Sequence, residues 1–117
     1  MTFTVPDRLP GYNELTRGHW SARQRLKETH MGIVVWCAKI DGVRPVKGLV
    51  EISITCYEPN HRRDHDNVVA GAAKIIMDAL KNMGIIQGDG QKYVRYVPQP
   101  VQVDRIKPRV EIEIREV

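Results

Sequence analysis

"HRRDHDNVVAGAAKIIMDALKNMG", residues 61–84, changes character after its sixth residue: a charged head gives way to an apolar pattern with helical steps. From about Asn67 to Met83, Val68 and Val69, Ala72, Ile75 and Ile76, Ala79 and Leu80, and Met83 recur every three or four positions. That spacing predicts an amphipathic helix with a wide buried face, and Gly84 supplies its stop. A face this broad needs a partner layer, and the flanking segments provide one.

Immediately upstream, "GLVEISITCYE" (48–58) alternates Val50, Ile52, Ile54 and Cys56 with Glu51, Ser53 and Thr55, the period of a half-buried strand, and Pro59 ends it. Downstream, the glycines of "QGDGQK" (87–92) mark a tight turn; "YVRYV" and "RVEIEIREV" then read as strands, with Val110, Ile112 and Ile114 alternating with charges. At the N-terminus "TFTV" (2–5) is a short strand, followed by a long loop rich in Pro and Gly through "PDRLPGYNELTRGHW". A first helix is expected from Ser21, its N-cap, to Gly42, with Ala22, Leu26, Ile33, Trp36, Cys37 and Ile40 on one buried stripe. The order strand, helix, strand, helix, strand, strand predicts an α/β (α+β) domain: a small mixed sheet of three to four strands packed with two main helices.

The chain of 117 residues, 42% of them hydrophobic, fits one domain with a real core. Lys and Arg number 18 against 14 Asp and Glu, so the net charge of +4 permits nucleic acid as a partner without requiring it. Cys37 and Cys56 lie in apolar segments without metal-ligand spacing, which predicts buried thiols in a reducing compartment. No stretch approaches the ~20 apolar residues of a membrane span, and the N-terminus has no secretory core, so a cytoplasmic protein is expected.

The chemistry sits in the charged head. In an extended segment residues i and i+2 project to the same side, so Asp64 and Asp66 would share one small volume with His65 turned away. Two close carboxylates repel unless a cation lies between them, and hard oxygen donors select magnesium, manganese or calcium. The following helix N-terminus favours keeping both ionised. The competing reading is structural: Asp66 or Asn67 caps the helix and Asp64 pairs with Arg62 or Arg63. An EF-hand is excluded, because "DHDNVVAG" runs straight into a helix without the required Gly and Glu. Asp89, between Gly88 and Gly90, is the candidate third carboxylate, with a simple turn aspartate as its alternative. Asp78 is too far along the helix to join them and is expected to pair with Lys74 at i,i+4.

"RRDHDN", an apolar helix ending in "KIIMDAL", Gly84 and the "GDGQKYV" turn, together with the early "LPGYNE" loop, resemble the RusA family of Holliday-junction resolvases, magnesium-dependent endonucleases often carried by prophages. The resemblance implies metal ligation by Asp64, Asp66 and Asp89, with manganese as an alternative ion. It also implies a catalytic lysine on the helix and a homodimer acting on branched, four-way DNA. Lys74 fits that lysine when counted from the downstream "DAL", whereas a lysine one turn after the second aspartate would fall on Ala70. Where the family has two adjacent aspartates in the turn, this chain has Gly88 followed by Asp89.

On that reading His61, Arg62 and Arg63 hold flanking phosphates. Arg17, His19, Trp20, Arg23, Arg25 and Lys27 form a second basic region, which contacts DNA arms or merely decorates a helix. The alternative is a non-catalytic nucleic-acid-binding protein in which the acids only cap and turn. An enzyme on nucleotides finds no support in a glycine-rich phosphate loop, since none is present.

Overall fold

The computed structural model describes residues 1–117. Its elements follow in the order β1 (Thr2–Val5), α1 (Tyr12–Thr16), α2 (Trp20–Ile40), β2 (Val50–Glu58), α3 (His65–Asn82), β3 (Val94–Val97), β4 (Gln102–Val103) and β5 (Arg109–Glu116). The sheet order is β1-β5-β2-β3, with β4 also on β2. The β1–β5 and β5–β2 pairs are antiparallel, whereas β3 and β4 run parallel to β2. The mixed sheet with helices is the expected α+β class, with one more short strand and one more short helix than the sequence predicted.

The extra strand has a clear origin. Residues 94–103 follow β2 along one edge, but Pro98 and Pro100 lack the N–H groups a ladder needs. Between Ser53↔Val97 and Tyr57↔Gln102, three β2 residues face four on the neighbouring segment, so the edge is broken by a one-residue bulge into β3 and β4.

β2 is central because it alternates without a break: Val50, Ile52, Ile54 and Cys56 are all buried and the residues between them half-buried. Ile52 pairs with Ile114, Ile54 with Ile112 and Cys56 with Val110, so the apolar rows of β2 and β5 fall on one face. Phe3 and Val5 of β1 extend that face, and α3 covers it with Val68, Ala72, Ile75, Ile76, Ala79 and Leu80. Those residues belong to a single core of 24 buried apolar side chains. Both cysteines are buried and unpaired, and burial, aided by nearby Glu58, pushes the Cys56 thiol up to about 12.

α2 departs from its expected stripe. Val34, Cys37 and Ala38 are buried, while Ile33, Trp36 and Ile40 stand 41%, 67% and 65% exposed. The two stripes are neighbours, one residue apart and ~100° round the helix, and periodicity alone does not choose between them. The helix also starts earlier: His19 is the N-cap, its ring accepting from the Ser21 backbone N–H at 3.2 Å, so Ser21 lies inside the first turn. Gly42, at φ +72°, takes the left-handed conformation just past its end, and Gly84, at φ +75°, does the same beyond α3. No helix is long and apolar enough to cross a membrane.

Candidate functional site

The segment expected to be a long loop contains α1 and acts as a clamp on α3. A Cβ at Gly71 would overlap the carbonyl oxygen of Pro10 and the backbone of Gly11 and Tyr12, and one at Gly11 would lie 2.5 Å from Asn67 Nδ2. Only glycines permit this approach. Asn67 Oδ1 accepts the Asn13 N–H at 2.7 Å, and Glu14 Oε1 accepts the Gly11 N–H at 3.1 Å. The short helix α1 is thereby fixed against the first two turns of α3.

A second clamp lies behind it. Glu58, at the end of β2, is 3% exposed and carries two guanidinium groups: Arg63 Nε and Nη2 donate to it at 2.8 Å each, and Arg8 Nε and Nη2 at 3.2 and 3.0 Å. Burial pushes the Glu58 carboxyl upward, but the hydrogen bonds and charges of Arg63 and Arg8 outweigh it and hold the carboxyl below its ordinary value. Arg63 also donates to the Leu9 carbonyl at 3.1 Å and to Glu14 at 3.2 Å. The expectation that Arg63 holds a phosphate is therefore corrected: its side chain is saturated by protein acceptors and joins β2, the loop and α1. His61 and Arg62 remain exposed on the connection between β2 and α3.

These clamps define the cavity in front of α3. Tyr12 and Asn13 from α1 and Asp64, His65, Asp66, Asn67 and Ala70 from the α3 entry line an open space of about 490 Å³. Asp64 is the N-cap residue, yet its side chain makes no capping hydrogen bond, and Asp66 is in the first turn with a fully exposed side chain. The helix therefore begins two residues earlier than expected. Asp66 lies within it rather than in an extended strand, so the expected i,i+2 alternation is absent, but both residues still line one cavity. The positive end of the α3 dipole faces them.

Asp89 is elsewhere. It lies 3.9 Å from Lys81 in the last turn of α3, fifteen residues after Asp66, or about 22 Å along the helix. Accordingly no group of three or more His, Cys, Asp or Glu side chains within the chain is placed to hold a metal ion. The expected trio of Asp64, Asp66 and Asp89 does not form within this chain, because α3 separates the pair from the turn. Gly88 also serves a purpose other than a strained turn: a Cβ there would meet the Tyr93 ring at 2.8 Å.

Lys74 lies two turns beyond Asp66, about 12 Å along α3, and contacts Asp78 at 3.3 Å, the i,i+4 pair anticipated from sequence. Lys27 reaches the same carboxylate at 2.6 Å. Burial raises Asp78, and the two lysines more than reverse that, leaving its carboxyl below the ordinary range. Lys74 instead borders a second groove, formed with Tyr12, Trp20, Arg23 and Lys27, that adjoins the acidic cavity at Tyr12. Trp20, Arg23 and Lys27 belong to the second basic region anticipated from the sequence, whereas Tyr12 and Asn13 were not singled out, their one signal being Gly11 beside them. No family model matches the chain, and no curated protein does.

Proposed function

We propose that the chain is a magnesium-dependent endodeoxyribonuclease that resolves four-way DNA junctions by paired phosphodiester hydrolysis, acting as a homodimer. One observation carries this reading: Asp64 and Asp66 share an open cavity at the start of α3, with Asp64 free of the capping bond its position normally makes. Magnesium is commonly held by one or two carboxylates plus waters and substrate phosphate oxygens, so the pair fits it as half of a site. When bound, the ion would activate a water and relieve charge on the leaving 3′ oxygen, giving 5′-phosphate ends.

The protein's own groups have distinct tasks in this scheme. Asp64 and Asp66 ligate, and Tyr12 and Asn13 form the opposite wall. His61 and Arg62 meet flanking phosphates. Since Asp89 cannot reach its own protomer's pair, the third carboxylate would come from Asp89 of the partner subunit. A dyad across α3 exchanges the two ends of the helix, and a four-way junction presents matching two-fold symmetry.

The separation of Asp89 also favours a second reading, a binding protein without catalysis. One assay distinguishes the two. With magnesium or manganese, a synthetic four-way junction should receive symmetrically paired nicks, and Asp64→Asn should abolish them while the junction stays bound. An intact junction under every divalent ion, with tighter binding by Asp64→Asn, would establish the binder and overturn the nuclease.

A further inference from the structure

The groove next to the acidic cavity has features that neither the core nor the proposed metal site explains. Trp20 is 66% exposed and Tyr12 46%, although aromatic side chains of this size usually bury most of their surface. Trp20 is held in place at the start of α2 by the His19 ring, stacked at 6.0 Å between centroids and inclined 30°. Its groove, about 280 Å³, runs between Trp20 and Tyr12 and is walled by Arg23, Lys27 and Lys74. Residues 17–27 contain Arg17, Arg23, Arg25 and Lys27 and no acid, and Asp78 pairs with Lys27 and Lys74. The buried Arg23 Nε has no hydrogen-bond partner.

Aromatic faces open to solvent beside cations suit an unpaired nucleotide: the base stacks on the ring and its phosphates meet the lysines and arginine. A duplex offers no free base face, whereas an unpaired nucleotide presents a base to the rings and phosphates to the cations together. We propose that the Trp20–Tyr12 groove binds an unstacked nucleotide of a single-stranded DNA segment, with Trp20 as the stacking platform and Arg23, Lys27 and Lys74 at the phosphates. The inference rests on the nucleic-acid reading above and extends it. Lys74 lies about 12 Å from Asp66 along α3, three to four nucleotides of a stacked strand at ~3.4 Å each, so the groove engages DNA beyond the cut. It thereby favours frayed or single-stranded DNA over a continuous duplex.

The chain has two tryptophans, so Trp36→Phe leaves Trp20 as the only indole. Trp36 is 67% exposed and outside both sites, and its replacement should leave folding intact. Without divalent ions, the single-tryptophan protein should show quenched fluorescence on titration with oligo-dT. An abasic strand of equal length and charge should bind about tenfold more weakly and not quench, and Trp20→Ala should weaken oligo-dT binding by a similar factor. Equal quenching by the abasic strand, unchanged affinity in Trp20→Ala, or absence of any binding overturns the stacking site. Junction nicking by the Trp36→Phe protein with magnesium, read in parallel, shows whether the nuclease reading survives such a failure.

Discussion

Gly71 on α3 sits directly beneath the Pro10 carbonyl, so close that a methyl group would overlap the backbone of the preceding loop. The loop that it presses against continues into Tyr12 and Asn13, which line the acidic cavity. Gly71→Ala should force the loop off α3 at a cost of about 1–3 kcal/mol, the usual penalty of overpacking. Urea denaturation measures the loss, and junction cleavage should fall further than stability alone predicts. An unchanged midpoint would show that the loop does not need this contact.

The Glu58 cluster predicts acid sensitivity of defined sign. Its carboxyl is held below the ordinary range in the folded protein, so its contribution is complete above the unfolded carboxyl value of about 4.3 and disappears as pH falls through the lower folded value. Glu58→Gln leaves Arg63 and Arg8 without a charged partner and should cost about 3 kcal/mol at neutral pH. Thermal melts from pH 7 to pH 3 should then show a shallower decline for the variant than for the wild type. Parallel curves would remove Glu58 from the account of acid unfolding.

Some elements leave a strong local pattern in the residues and others do not, for physical reasons. α3 and β2 were legible because each has one dominant period and an unambiguous breaker, Gly84 and Pro59. α2 was placed, and Cys37 is buried as expected, but Ile33, Trp36 and Ile40 form as regular a stripe as the residues that are buried, and only the position of β1 and α3 decides between them. Asp64 and Asp66 were found through their charge. The fate of Asp89 depended on helix length, since α3 holds the turn at its far end. Arg63 looked like a surface cation because its partner, Glu58, is five residues back in a strand whose other inward positions are apolar. A pairing across the bend after Pro59 follows neither the strand's nor the helix's period and so leaves no periodic signal.

Lys74 offers a direct check on which part of α3 does chemistry. Its distance from the proposed metal site and its pairing with Asp78 predict that Lys74→Ala weakens DNA binding and lowers the salt dependence by roughly one phosphate contact, with kcat for the proposed cleavage kept within about threefold. Single-turnover cleavage at saturating protein, measured over a series of salt concentrations, separates these effects. A loss of kcat by several orders of magnitude with unchanged binding would instead place the ammonium at the reacting phosphate.

The separation of Asp89 from Asp66 makes the shared-site proposal testable without any structure of a dimer. Asp66→Asn and Asp89→Asn each replace an exposed or half-exposed side chain, so both variants should fold normally and each alone should be inactive. If each site takes Asp64 and Asp66 from one subunit and Asp89 from its partner, a heterodimer of the two variants contains one fully intact site and one doubly defective site. Random mixing makes half the dimers heterodimers, so the 1:1 mixture should recover roughly a quarter of wild-type nicking. The products should be single nicks with almost no paired cuts, resolved on denaturing against native gels. A site built within one chain gives no recovery at any mixing ratio, because every protomer then carries its own defect; that result would remove the two-subunit arrangement, and α3 is too long for the single-chain trio to replace it.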